Sequence, residues 1–226
     1  MSMSSSSTAP VFAVDEVGRG CLWGPVVAGA VVLPASCPEN SALWDAIRDS
    51  KKVSERKRPV LAEYIKRIAL AHGVGYADVD EIDSVNILQA TMRAMHRAID
   101  AAWRDYQHKH PGAEQPAAVL VDGPNFVPYM PPGVDVEPLD HECIVDGDDS
   151  VKGIAAASIL AKVERDDWVV RYVSEQPALK AYQIDKNKGY GTAAHMGALK
   201  THGIHELHRR SFAPCARVIG LVPASH

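Results

Sequence analysis

The sequence predicts an α/β fold built on a single sheet, and three observations carry that reading. Short apolar runs of strand length, rich in β-branched Val, stand at residues 11–17 and 26–33, and further runs follow at 74–79, 117–121 and 142–145. Long helical patterns intervene, the clearest at about 87–106 and 151–174. Several strand runs end in an acid, and in open α/β sheets the strand ends commonly gather the active site.

The chain has 226 residues, 46% of them hydrophobic and 23% charged, which suits one large domain able to bury a core. No apolar run approaches the roughly 20 residues of a membrane span, so no membrane role is expected. Residues 1–10 are Ser-rich without a charged region or apolar core; they read as a disordered tail ahead of a domain at 11–226, not as a secretory signal. Cys21, Cys37, Cys143 and Cys215 form no CxxC pair and read as free thiols of a reducing compartment, the cytoplasm if the chain is prokaryotic. The net charge of −4 does not advertise a nucleic-acid binder. The positive charge is clustered, however, at Arg48, Lys51, Lys52, Arg56, Lys57 and Arg58, at Lys186 and Lys188, and at Arg209 and Arg210.

The first two strands flank a turn with Gly18, Gly20, Gly24 and Pro25 and form an antiparallel hairpin. Asp15 and Glu16 lie where the first strand runs out. Successive strand residues face opposite ways, so both acids reach one cation only if the strand bulges or one binds through its carbonyl. Gly18-Arg19-Gly20 forms a loop free to adopt φ > 0 and to approach a phosphate closely, with a guanidinium at its centre. A short helix is expected at 41–48, then a polar loop Asp49-Ser50-Lys51-Lys52. Ser54 caps a helix to about Ala71, with Pro59 near its start and Gly73 ending it. After the strand at 74–79, Asp78, Asp80, Glu81 and Asp83 suit the positive first turn of the next helix better than a metal loop. That helix carries Met92, Met95 and Ile99 as core filling.

The strand at 117–121 ends in Asp122-Gly123. Pro124, Pro128, Pro131, Pro132 and Pro138 mark 124–140 as an ordered loop or insertion, with a strand around 134–136, expected to pad a substrate groove. The strand at 142–145 ends in Asp146-Gly147-Asp148-Asp149-Ser150. The helix at 151–174 opens with Ala155-Ala156-Ala157-Ser158, small residues that allow close packing on a sheet. Thr192 caps a helix to about His202, with Gly203 as C-cap. His202, His205 and His208 straddle Gly203 and do not share a helical face, so they are not read as a zinc site. His208 is expected at a phosphate or a backbone group.

Three strand ends thus deliver acids. Gathered at one locus, these carboxylates repel one another unless cations compensate, and an all-oxygen set favours Mg²⁺ or Mn²⁺. Two such ions roughly 4 Å apart serve in-line phosphoryl transfer, and the basic clusters nearby imply a phosphodiester substrate.

The motifs Asp15-Glu16-Val17-Gly18-Arg19-Gly20, Asp49-Ser50-Lys51-Lys52, Asn86-Ile87-Leu88, Val121-Asp122-Gly123, Ala155–Lys162, Lys188-Gly189-Tyr190 and His208-Arg209-Arg210-Ser211-Phe212, in unbroken order, resemble ribonuclease HII. The resemblance covers about 11–221. It implies an RNase H-like mixed sheet flanked by helices, with a small C-terminal helical segment at about 192–226. It implies an endoribonuclease, working as a monomer with two divalent ions, Mg²⁺ or Mn²⁺. Its substrates would be RNA/DNA hybrids and duplex DNA containing ribonucleotides, nicked 5′ of the ribonucleotide to leave 3′-OH and 5′-phosphate ends. The metal carboxylates would be Asp15, Glu16, Asp122 and Asp148, with Asp149 as rival for the fourth. Gly18, Arg19 and Gly20 would read the ribose 2′-OH. Tyr190 would stack on the following sugar, and Ser50, Lys51 and Lys188 would meet phosphates. Asp166 reads as a supporting residue and Ser158 as a packing residue. Departures from the family pattern at Asp146, around Tyr182-Gln183-Ile184 and at Gly191 touch the acidic corner and the Tyr190 loop. Rival readings are a catalytically silent hybrid-binding protein and a nuclease of DNA junctions. No short motif for docking a sliding clamp is present.

Overall fold

The computed structural model describes residues 10–39, 41–114, 116–131 and 137–221; the Ser-rich start through Ala9 and the strand expected at 134–136 lie outside them. Five strands form one mixed sheet: β1 (Val11–Val17), β2 (Val26–Val32), β3 (Ala71–Ala77), β4 (Ala118–Asp122) and β5 (Asp140–Ile144), in the order β3-β2-β1-β4-β5. β1, β2 and β3 are antiparallel neighbours, whereas β4 and β5 run parallel to β1, so three carboxyl ends lie along one edge. The β1–β2 pairing runs without a break from Ala13↔Val31 to Val17↔Val27, so the strand carrying Asp15 and Glu16 does not bulge.

Side-chain alternation divides the two faces. Phe12 and Val14 of β1 join α4 (Ile87–Lys109) in one core, with Met95 and Ile99 fully buried. Each such aliphatic side chain contributes about 1.5–3 kcal/mol relative to exposure. Val31 of β2 faces a second core made by α2 (Arg58–Ile68) and α6 (Lys152–Glu175). The alanines at the start of α6 do what small residues allow: a Cβ on Gly29 of β2 would stand 2.4 Å from the Ala157 carbonyl oxygen. A third core joins the far end of α6 to Leu22, Trp23, a 3₁₀ turn at Pro177–Tyr182, α7 (Ile184–Asn187), α8 (Ala193–His202) and α9 (Ala213–Val218). No helix among the described residues is long and apolar enough to cross a membrane.

Several expected boundaries shift, each for a local reason. The first helix, α1, is only Ala42–Asp45. Pro59 sits in the first turn of α2, where its missing N–H is no loss. That helix ends at Ile68, and Gly73 is not its stop but a residue of β3. Gly73 and Gly75 lie beneath α4, where added Cβ atoms would stand 2.3 Å from Ala102 N and 2.2 Å from the Ala94 carbonyl oxygen. Their role is close helix–sheet contact, not chain termination. The acids at 78–83 do open a helix: Asp78 caps α3 (Val79–Val85) by accepting from Glu81 N–H. The chain then breaks at Asn86, with φ 72°, before α4 begins. Thr192 and Gly203 cap α8 as expected. The described part of the 124–140 stretch docks on α4: Tyr129 is buried, its hydroxyl donates to Asp100, and His96 Nε2 lies 2.8 Å from the Val127 carbonyl oxygen. That is the sheet face opposite α6, so these residues brace the α4 layer.

Replacing Gly75 by Ala forces its Cβ against the backbone of α4. We expect a loss of about 1–3 kcal/mol in urea unfolding, the usual cost of overpacking; an unchanged midpoint would show that α4 is free to slide outward.

Candidate active site

The parallel arrangement of β1, β4 and β5 sets Asp15 and Asp122 on adjacent strands, on the face covered by α6. Glu16 emerges on the opposite face at the strand's end, near enough to Asp122 to feel its charge. Asp122 Oδ1 accepts the Gly147 N–H at 2.8 Å and the Asp148 N–H at 3.3 Å, which draws the turn after β5 onto the end of β4. The approach at Gly147 is close: a Cβ would lie 2.7 Å from Ile154 Cδ1 and 3.3 Å from that same carboxylate oxygen. The turn is α5 (Gly147–Ser150), entered through Asp146 in the left-handed region with φ 54°.

The two candidates for the fourth acid differ in burial and in partner. The Asp148 side chain is 8% exposed and turned inward, whereas that of Asp149 is 45% exposed and paired with Lys52 at 2.5 Å. Asp148 meets Lys51 Nζ at 3.4 Å and lies near the buried Asp49, a fifth carboxyl to which the sequence pattern assigns no role.

Burial and mutual repulsion dominate the electrostatics. Burial pushes the Asp15 carboxyl well above its ordinary range; Glu16 and Asp122 push it further, against hydrogen bonds from Ser158 and the Glu16 N–H. Burial also raises Glu16, opposed by Arg19, whose Nη1 lies 3.2 Å from Oε1. Asp148 is raised by burial, opposed by Lys51 and reinforced by Asp49 and Asp122. Among the described residues, no three His, Cys, Asp or Glu side chains converge into a ready cage. The donor set is nevertheless all oxygen, partly buried and electrostatically coupled, and that chemistry fits a hard divalent cation.

The remaining expected residues divide. Gly18, with φ 92°, leads into an exposed turn at Arg19 and Gly20. Tyr190 is 39% exposed, with Lys162 Nζ 5.8 Å from its ring centre, and forms a bridge with Cys21. Lys51 is 80% exposed. Lys188 holds φ 52°, and its ammonium donates to the Asp185 carbonyl. Ser50, expected at a phosphate, is instead buried, its hydroxyl 2.9 Å from that of Ser158. Ser158 in turn lies beside Asp15 and lowers its carboxyl against the effect of burial, so it does more than fill space. Asp166, expected as a supporting residue, pairs with Lys162 at 2.8 Å and Arg58 at 3.6 Å. His208 is fully buried, accepts the His205 N–H and faces His195 Nε2 at 2.9 Å, so its partner is a backbone group and not a phosphate. Arg209 belongs to no surface patch, because it too is fully buried.

The family model for Ribonuclease HII matches residues 12–215 of this chain. A Ribonuclease HII from Trichormus variabilis is 43% identical over 212 residues, covering 93% of this chain and 84% of that protein. Among solved structures, the ribonuclease H2 from Pyrococcus horikoshii OT3 superposes with a TM-score of 0.67 at 20% identity, covering 93% of this chain and 97% of that one. Bst-RNase HIII, solved in complex with Mn²⁺, gives 0.62 at 18% identity, covering 95% of this chain and 70% of that one. The structural likenesses establish the fold.

Raised carboxyl values carry a sign for stability. Between the ordinary carboxyl range near pH 4 and the raised folded value, the folded state binds more protons than the unfolded one, so stability falls as pH rises through that window. In EDTA, Asp15→Asn should therefore gain stability relative to the parent as pH goes from about 4.5 to 8. Each tenfold difference in proton affinity between the folded and unfolded carboxyl is worth about 1.4 kcal/mol of that gain. A difference in urea midpoint that stays constant with pH would refute the raised Asp15 carboxyl.

Proposed function

The chain belongs to the ribonuclease HII family and has ribonuclease H activity on RNA/DNA hybrids; on that premise we propose that it also nicks duplex DNA on the 5′ side of embedded ribonucleotides, leaving 3′-OH and 5′-phosphate ends. The family is dependent on divalent metal. In this reading Asp15, Glu16, Asp122 and Asp148 hold two ions, Mg²⁺ or Mn²⁺. Bound there, such a pair activates the attacking water and stabilises the leaving oxygen in an in-line displacement.

The observation that carries the proposal is the continuity of β1 with the Gly18-Arg19-Gly20 turn. The strand that presents Asp15 and Glu16 runs directly into an exposed loop whose Gly18 and Arg19 carbonyls are drawn inward by Arg209. The Arg19 and Gly20 N–H groups take no partner among the described residues and lie on the exposed side. A loop of that kind reads a 2′-hydroxyl through its backbone, with the scissile phosphate a few ångströms away at the carboxylates. Tyr190 offers an exposed ring on which the next sugar stacks, and a 2′-hydroxyl there is disfavoured. Lys51 and Lys188 meet backbone phosphates. Lys51, paired with Asp148 at 3.4 Å, favours the charged form of that carboxylate against burial and leaves its remaining donors for the substrate. Ser50 acts from behind, through Ser158 on Asp15. A monomer suffices, because every residue in this reading comes from one chain.

The direct test uses a DNA duplex carrying one ribonucleotide, beside an all-DNA duplex and a full RNA/DNA hybrid, each with Mg²⁺, Mn²⁺ or EDTA. The expected result is a single nick 5′ of the ribonucleotide, abolished by EDTA and reduced at least about a hundredfold by Asp122→Asn, since a metal site supplies several kcal/mol of charge stabilisation. Cleavage of the hybrid alone would remove the junction role of Tyr190. Binding without cleavage would favour a silent hybrid-binding protein.

A further inference from the structure

Two arginines are wholly buried beneath the turn after β1, and neither forms an ion pair among the described residues. Arg209 donates Nε to the Gly24 carbonyl at 3.0 Å, Nη1 to that of Arg19 at 2.9 Å and Nη2 to that of Gly18 at 2.8 Å. Arg165, on α6, donates Nε to the Pro25 carbonyl at 3.0 Å, Nη2 to that of Trp23 at 3.0 Å and Nη1 to that of Lys188 at 2.7 Å. Each guanidinium thus spends its planar fork on three carbonyl oxygens. A buried charge without a counter-ion is costly, and two near each other more so. Burial, with the neighbouring Arg165, lowers Arg209 to about 10.

The carbonyls they hold belong to two separate loops. Residues 18–25 carry the proposed 2′-hydroxyl reader; Lys188 precedes Tyr190. The same loops are sewn together by Leu22 N–H to Gly189 carbonyl at 2.8 Å, and to the C-terminal strip by Arg209 N–H to Leu22 at 2.9 Å and Gly24 N–H to Leu207 at 2.9 Å. The fit leaves no slack. A Cβ on Gly18 would stand 2.3 Å from Arg165 Nε, and one on Gly189 2.5 Å from the Trp23 carbonyl oxygen.

We propose that Arg165 and Arg209 are positioning residues for ribose discrimination, locking the Gly18-Arg19-Gly20 turn and the Tyr190 turn into one rigid unit. They touch no substrate. With the carbonyls drawn in, the Arg19 and Gly20 amides point out, and Tyr190 is held at a set distance from them. The catalytic carboxylates do not depend on this clamp, because Asp15, Asp122 and Asp148 are held by β1, β4, Ser158 and α5. The clamp rests on the functional reading above, and it concerns which substrate is chosen rather than whether phosphodiester is cleaved.

Arg165→Lys and Arg209→Lys keep the charge and lose the fork. The assay is kcat/KM on the single-ribonucleotide duplex and on the full hybrid, beside a Mg²⁺ titration of thermal unfolding that reports on the carboxylates. The hybrid offers a 2′-hydroxyl at every register, whereas the single ribonucleotide needs both turns placed at once. Each variant should therefore lower the ratio of the first kcat/KM to the second at least about tenfold, with the Mg²⁺-induced rise in Tm retained. A ratio equal to that of the parent, with both activities unchanged or falling together, would overturn the clamp. Should the lysine variants not fold, Phe212→Leu loosens the ring lying 5.1 Å from the Arg209 guanidinium and should shift the ratio the same way to a smaller degree; a folded Phe212→Leu protein with the parent's ratio counts against the proposal. A parent that cleaves neither substrate with either metal would overturn the functional reading itself, a result distinct from the failure of the clamp alone.

Discussion

The constraint on which the structure turns is the placing of like charges together inside the protein. Asp15 and Asp122 stand at the carboxyl ends of neighbouring strands that could not separate them without dismantling the sheet, and the turn after β5 brings Asp148 beside them. Burial and repulsion hold Asp15 and Asp148 above the ordinary carboxyl range. The fold offsets the strain with donors at fixed points: the Glu16 N–H and the Ser158 hydroxyl on Asp15, two amides of α5 on Asp122, Lys51 on Asp148. None of these is an arginine in a bidentate pair, which would neutralise the cluster permanently. The carboxylates are held in place yet remain unsatisfied enough to gain from cations.

The same economy shapes the layers around them. α6 approaches β1 and β2 through alanines and through Gly29, close enough for Ser158 to reach Asp15. α4 seats itself on the other face through Gly73 and Gly75. In both cases the missing side chains set the helix–sheet distance. The first keeps the helix within reach of the reacting groups; the second builds the core that keeps β1 straight.

Those parts that rest on short-range rules are legible in the sequence. Val-rich strands, the Asp122-Gly123 strand end, the small-residue start of α6 and the Thr192 and Gly203 caps obey local chemistry, and each lies within a residue or so of its expected place. What is not legible depends on partners distant in the chain. Gly73 looks like a helix stop because nothing local announces a helix packed above it. Ser50 and Ser158 are 108 residues apart, and only the folded contact shows that neither hydroxyl faces solvent. Arg209 sits among basic residues and reads as surface, yet its partners lie 185–191 residues earlier. Asp148 and Asp149 are separable only by direction, which the turn after β5 decides.

In the proposed reading, Arg165 and Arg209 resolve a conflict built into recognition by glycines. A turn that must bring its backbone against a sugar needs residues without side chains, and such residues cost the most entropy to order. A loose turn would accept a deoxyribose as readily as a ribose, because one hydrogen bond to a 2′-hydroxyl discriminates only if its donor stays in place. Carboxylates could not serve as the brace, since further acids beside the carboxylate cluster would repel a polyanionic substrate. Aliphatic packing could not serve either, since it leaves carbonyls unpaired. Guanidinium groups satisfy the carbonyls, supply six directed bonds and add positive charge beneath a polyanion. Rigidity, backbone satisfaction and electrostatic sign are therefore met by one pair of side chains, and their burial is the condition for all three.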